Sequence, residues 1–338
     1  KTISGKAIQE IRENILKKEF LKGEGSEKAL DVKDQYLDLI VNNIELKRPL
    51  KIAIDCGNGA ASIIAKQVYE GLGCEVHSLF AEVDGDFPNH HPDPSKPENL
   101  EDLKKLVEEQ RLEIGLAFDG DADRLGVVSK EGKIIFPDMQ MILFSNSILQ
   151  QHKKGKIVFD VKCSKLLSDA ILNEGGTPIM AKTGHSYIKK CIQEENALLG
   201  GEMSGHIFFN DRWPGFDDGI YAGARMLEII SNLSKNEDVF KDLPKLASTP
   251  EINIESTDDE KFKIVEDFIS KANYKDSKSV LIDGVRIEFD FGWGLLRASN
   301  TSPILVLRFE ADTQENLESI KNTFRRTLND INPNLGSF

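Results

Sequence analysis

The sequence predicts an α/β protein of several domains: two related units on mixed or mainly parallel sheets, then a small α+β domain at the C-terminus. Three observations lead there. The chain has 338 residues, more than one core normally organises, so two or three domains are expected. An apolar strand that ends in an acid and opens into a helix occurs twice, and the pattern of elements changes near Leu243.

Taken in order, Ile3, Ala7, Ile8, Ile11, Ile15 and Leu16 fall near helical spacing within residues 1–20, and Lys22-Gly23-Glu24-Gly25-Ser26 reads as a linker. A second helical stretch (Val32, Tyr36, Leu37, Leu39, Ile40, Ile44) leads through Pro49 to a strand at 50–55, after which Gly57-Asn58-Gly59-Ala60 opens another helix. The phrase returns as Lys156-Ile157-Val158-Phe159-Asp160, with Val161-Lys162-Cys163 opening a helix. Each copy then runs through a helix to a Gly-rich turn, Leu72-Gly73-Cys74 or Gly175-Gly176-Thr177, and a second strand. Near-equal offsets mark two copies of one α/β unit, with helices on both faces of each sheet. Beyond Leu243, Ile252 and Ile254 alternate in a short strand and residues 259–270 read as a helix. Asp283-Gly284 marks a hairpin within 280–289, 304–309 is a strand and 314–328 an amphipathic helix.

Composition narrows the function classes. With 40% hydrophobic and 29% charged residues and no apolar run near the ~20 needed to span a bilayer, the chain reads as soluble and globular. A formal net charge of -13 argues against a nucleic-acid partner. Cys56, Cys74, Cys163 and Cys191 are scattered without a CxxC pair, which favours free thiols in a reducing cytoplasm. No secretory signal is visible, and a start at Lys1 rather than Met leads us to expect residues upstream.

The sharpest chemical signal is Asp119-Gly120-Asp121-Ala122-Asp123-Arg124, where an apolar strand runs out into three carboxylates spaced by small residues. Hard oxygen ligands placed this way can converge on one divalent cation, Mg²⁺ being the natural guest. An EF-hand is excluded, because its sixth and twelfth positions would be Arg124 and Lys130 instead of Gly and Glu. Arg124 offsets part of the acidic repulsion and can hold a phosphoryl oxygen. In Gly201-Glu202-Met203-Ser204-Gly205-His206, an extended backbone would point Glu202, Ser204 and His206 to one side, a surface suited to sugar hydroxyls. Arg297-Ala298-Ser299-Asn300-Thr301, framed by Gly292-Trp293-Gly294 and Pro303, reads as a loop with the donors of a phosphate cradle. Lys162 and Lys182-Thr183-Gly184-His185 each follow a strand, where open α/β sheets place ligand-binding loops. Gly57-Asn58-Gly59-Ala60-Ala61-Ser62 matches only the front of a dinucleotide fingerprint, since Ser62 replaces the third glycine. The loop at 87–94, with His90 and His91 among prolines, reads as structural.

With these three loops in this order the sequence resembles the α-D-phosphohexomutase superfamily, most closely its bacterial phosphomannomutase/phosphoglucomutases. The resemblance covers nearly the whole chain. It implies four domains: the tail of a first α/β domain at 1–30, a second at 31–133, a third at 134–245 and a small fourth at 246–338. It implies that Asp119, Asp121 and Asp123 hold one Mg²⁺, that Arg124 stabilises the transferring phosphoryl group and that His206 shuttles a proton. Glu202, Met203, Ser204 and Gly205 would form the sugar loop, and Arg297, Ser299, Asn300 and Thr301 would grip the phosphate that does not react. Lys162, His185 and His206 would complete the pocket. The expected reaction interconverts hexose 1- and 6-phosphates through a hexose 1,6-bisphosphate, also the activator, using a phosphoserine. No Thr-Ala-Ser-His-Asn-Pro-like loop occurs in these residues, so the donor is expected from a segment absent here and the chain alone is expected to be inactive. The whole enzyme is expected to be a cytoplasmic monomer acting on mannose and glucose phosphates. Phosphoglucosamine mutase is the neighbouring reading. A metal-dependent sugar phosphatase would release inorganic phosphate, and a phosphosugar-binding fragment would bind without exchange.

Overall fold

The computed structural model describes residues 6–335 together with Ile3 and Phe338. Lys1, Thr2, Ser4 and Gly5, the start of the expected first helix, lie outside the described residues. Helix α1 (Lys6–Lys17) buries none of its residues. Among the described residues no helix is long and apolar enough to cross a membrane.

The first unit contains α2 (Lys33–Val41), β1 (Lys51–Asp55), a 3₁₀ turn, α3 (Ala65–Gly71), β2 (Glu75–Leu79), α4 (Glu101–Glu109), β3 (Ile114–Phe118), β4 (Leu125–Ser129) and β5 (Ile134–Ile135). Its sheet runs β2-β1-β3-β4-β5, with β1 parallel to both neighbours and β4 antiparallel to β3. The second contains α5 (Pro137–Gln151), β6 (Lys156–Asp160), α6 (Lys165–Asn173), β7 (Thr177–Ala181), α7 (His185–Glu195), β8 (Leu199–Gly201), β9 (Ile207–Phe209) and α8 (Gly219–Ser231). Its order, β7-β6-β8-β9, repeats the first four strands of that walk, with β6 parallel to both neighbours and β9 antiparallel to β8. The duplicated unit is therefore present. Central strands covered on both faces must be apolar on both, as the fully buried β3 (Ile114–Phe118) is. Leu103 and Val107 of α4 cover one face, and Val68 and Tyr69 of α3 the other.

Helix α8 packs on β3 and β4 of the first sheet and on β9 of the second, so one hydrophobic cluster runs from Ile40 to Phe240 through both units. Ile220, Tyr221, Ala222, Ala224, Met226 and Leu227 are all buried. The helix's one polar stripe, Arg225 and Glu228, is itself turned inward to Asp211 and Arg212. Asp218 starts the helix by accepting from the Tyr221 amide.

The third unit is an antiparallel sheet of β10 (Ala247–Ser248), β11 (Ile252–Glu255), β12 (Ser277–Val280), β13 (Val285–Phe289), β14 (Gly292–Ala298) and β15 (Ile304–Ala311), with α9 (Glu260–Lys271) and α10 (Gln314–Ile331) packed on it. One expectation is corrected here. Arg297 belongs to no loop: it lies in β14, paired with Val306 of β15, in a strand whose pattern Gly292 and Gly294 disguise.

Candidate active site

The acidic turn joins β3 to β4, and the Glu202–His206 turn joins β8 to β9, so the two occupy equivalent places in the duplicated unit. They also touch. Arg124 and His206 form an antiparallel bridge, the Leu125 amide donates to the Gly205 carbonyl at 3.1 Å, and the Gly219 amide donates to the Ala122 carbonyl at 2.9 Å. The approach at Gly219 tolerates no side chain, because a Cβ there would lie 2.6 Å from the Arg124 carbonyl oxygen.

In the acidic turn Ala122 takes a left-handed conformation (φ 65), which curls the three acids toward one another. Asp119, Asp121 and Asp123 each offer a carboxylate oxygen within 4.8 Å of the others. Hard oxygen donors at this spacing fit a small divalent cation. Asp119 is buried; its Oδ2 accepts from Arg124 Nε at 2.6 Å and its Oδ1 from the Arg124 amide at 3.0 Å. Burial works against the guanidinium charge, but Asp119, and after it Asp93, keep the Arg124 pKa raised. Burial, only partly offset by His206, pushes Asp123 up to about 7.

The second turn is not extended, which corrects the expectation that Glu202, Ser204 and His206 share one side. It is tight: the Glu202 amide donates to the His206 carbonyl, the Gly205 amide to the Glu202 carbonyl, and Gly205 has φ 104. Glu202 turns inward, 2% exposed, and accepts from the Gly184 amide. Burial, with Asp160 nearby, pushes its carboxyl up to about 7. Met203 and Ser204 face a cleft of about 450 Å³ together with Ser95, Lys96, Lys162 and Glu251, drawn from all three units. His206 Nδ1 lies 3.3 Å from Asp123 Oδ1 and 3.2 Å from Asp217 Oδ2, its ring stacked on His185. Despite its burial, Asp217 is held down to about 2 by His206 and Lys189.

Lys162, just beyond the end of β6, is 5% exposed and pairs with Glu251 Oε1 at 2.6 Å. Its backbone is gripped from the third unit. Arg286 donates to the Val161 and Cys163 carbonyls at 2.8 and 2.7 Å while stacking on Trp293, and Arg308 donates to the Lys162 carbonyl and pairs with Asp138 at 3.1 Å. Arg297 Nε donates to Asp283 Oδ2 at 2.9 Å, and the same oxygen takes the Thr183 amide at 3.1 Å, tying β14 to the loop before His185. Ser299 Oγ is engaged locally by the Thr301 and Ser302 amides, and Asn300 and Thr301 stand exposed. Sequence reasoning missed Asp93, Asp217, Glu251, Asp283, Arg286 and Arg308. Arg308 had a signal, a lone charge in the apolar run 304–309; the others had none.

Two copies of one α/β unit meeting through paired turns, with a third unit across the cleft, are the frame of an enzyme that holds its ligand between domains. Comparison makes the class specific. Residues 34–132 match the family model of phosphoglucomutase/phosphomannomutase alpha/beta/alpha domain II, residues 136–247 that of domain III and residues 251–327 that of the C-terminal domain. The chain is 51% identical over 335 residues to the phosphomannomutase/phosphoglucomutase of Pseudomonas syringae pv. tomato, covering 99% of this chain and 72% of that one. It is 51% identical over 338 residues to the phosphoglucomutase of Neisseria gonorrhoeae, covering 99% and 73%. A solved phosphoglucomutase/phosphomannomutase family protein from Burkholderia thailandensis superposes with a TM-score of 0.94 at 45% identity, covering 99% of this chain and 72% of that one. The chain belongs to the phosphoglucomutase/phosphomannomutase family.

Proposed function

We propose that the protein interconverts the 1- and 6-phosphates of mannose and glucose through a hexose 1,6-bisphosphate, as a cytoplasmic monomer with one Mg²⁺. The observation that carries this reading is the junction of the two turns: a cage of carboxylates and a sugar-type turn are bonded to each other, so the phosphoryl and sugar ends of one ligand can meet there. Asp119, Asp121 and Asp123 would hold the cation, which when bound neutralises charge on the transferring phosphoryl group.

The chain's own residues do the rest. Arg124 holds equatorial phosphoryl oxygens, and His206, kept in place by Asp123 and Asp217, carries the proton between the attacking hydroxyl and the departing one. Glu202 and Ser204 bind sugar hydroxyls. Lys162 and His185 line the pocket, and Arg297, Ser299, Asn300 and Thr301 hold the phosphate that does not react. A phosphoserine gives its phosphoryl group to the free hydroxyl of a hexose 1-phosphate, forming the bisphosphate and free serine. The bisphosphate turns round and returns its 1-phosphoryl group to that serine, leaving the 6-phosphate. The donor loop is not among these 338 residues, and we take residues 1–30 as the tail of the domain that would carry it. We take the following units as 31–133, 134–245 and 246–338.

Phosphorus NMR of mannose 1-phosphate with Mg²⁺ and a trace of hexose 1,6-bisphosphate tests the reading. The full-length natural protein should yield the 6-phosphate without free phosphate, while the 338 residues alone should bind the bisphosphate without isomerising substrate. Accumulation of inorganic phosphate would overturn the mutase reading in favour of a phosphatase.

A further inference from the structure

The loop at 87–94 is read as structural from the sequence, yet its continuation through Lys96 reaches the cleft. Ser95 and Lys96 line the cavity that Lys162, Met203 and Ser204 share. Behind them the loop is pinned to the end of β1. His90 Nε2 sits 3.1 Å from the buried Asp55, Asn89 donates to the Asn58 side chain at 2.7 Å, and Pro92 and Pro94 are buried. The neighbouring Ala60 amide donates to the Gly120 carbonyl at 2.9 Å, so the segment after β1 also holds the acidic turn. Between these anchors stands Asp93. Its Oδ1 accepts from the Ser95 amide at 3.1 Å and hydroxyl at 2.7 Å, its carbonyl accepts from Asn99 at 3.0 Å, and Oδ1 also takes Arg124 Nη1 at 3.0 Å.

We propose that Asp93 is a positioning residue for phosphoryl transfer, acting by fixing the Arg124 guanidinium. Two carboxylates divide that group. Asp119 takes Nε and Asp93 takes Nη1, while Nη2 makes no hydrogen bond among the described residues. A planar fork held on two sides has one orientation left, and its third nitrogen is the one that can face an oxygen entering over the acidic turn. Asp119 alone would leave the fork free to swing about its Nε contact; Asp93, rigid on Ser95 and Asn99, removes that freedom. Because the group is fixed before substrate arrives, the gain appears in the chemical step more than in binding.

This inference rests on the mutase reading above, and the test separates the two. In the full-length protein, Asp93→Ala should lower kcat about 30-fold with KM for the hexose 1-phosphate within about twofold, a change of the size one charge-assisted hydrogen bond supplies. Asp93→Asn, which keeps a neutral acceptor oxygen and the local turn, should recover part of that rate and guards against a misfolded alanine variant. The deciding readout is the cycle with Arg124→Ala: if Asp93 works through Arg124, the double variant is no slower than Arg124→Ala alone. Multiplicative effects, a defect carried by KM, or no rescue by asparagine would each overturn the proposal. A wild-type protein that fails to isomerise the substrate would overturn the mutase reading instead.

Discussion

The turn after β3 and the turn after β8 stand at one place in two copies of the same topology, but they differ in almost every side chain. The first brings three carboxylate oxygens within 4.8 Å of one another, with Asp121 exposed. The second buries a single carboxyl, Glu202, and presents a hydroxyl and an imidazole. Both lie beyond the central parallel strands, where open α/β sheets receive ligands. On the proposed function, the duplicated backbone would set where a ligand sits, and the residues on each turn which end of it is recognised. Pairing of the turns through Arg124 and His206 brings the two versions of one motif side by side, where on the proposed function they would meet a single ligand.

That division of labour can be broken in graded steps. The largest effect is expected from Asp121→Asn, which removes one oxygen donor from an exposed side chain: Mg²⁺ uptake by calorimetry should be lost and turnover should fall at least about 100-fold. Persistent turnover would mean the first turn is not the cation site. Next comes Glu202→Gln, expected to raise KM for hexose phosphate about 10-fold or more while Mg²⁺ affinity stays unchanged. A change in Mg²⁺ affinity there would show the turns are not separable. A smaller effect, on the junction, is expected from Gly219→Ala, whose Cβ would meet the Arg124 and Ala122 carbonyl oxygens at 2.6 and 2.9 Å. It should cost about 3 kcal/mol in denaturant unfolding and weaken Mg²⁺ uptake, because the acidic turn must shift.

How legible each part was follows from which forces are local. The repeated strand-acid-helix phrase at Asp55 and Asp160 was plain, because a strand covered on both faces needs a continuous apolar run. The acidic triplet was plain because its neighbours in space are its neighbours in sequence. Strand β14 was hidden because its glycines imitate a loop. Asp93, Asp217, Glu251 and Asp283 were hidden for another reason: each matters only through a partner at least ten residues away, Arg124, His206, Lys162 or Arg297, and no local pattern records such a pairing.

The smallest prediction isolates the second turn by titration. Glu202 is lifted to about 7 in the folded protein, chiefly by burial, against an ordinary value near 4.3 when unfolded. Between those values the native state keeps a proton that the unfolded chain has released, so the unfolded state binds fewer protons and stability falls as pH rises through that window. Outside it the contribution is flat. Glutamine cannot titrate, so the stability of wild type relative to Glu202→Gln should decline by about 1–2 kcal/mol from pH 5 to pH 8, part of the shift being shared with neighbouring charges. Urea unfolding of both proteins in saturating Mg²⁺ keeps the acids of the first turn ionised throughout and leaves Glu202 as the difference. Parallel curves would mean that this carboxyl is ionised in the fold already at pH 5, and that the second turn is, like the first, a site of fixed negative charge.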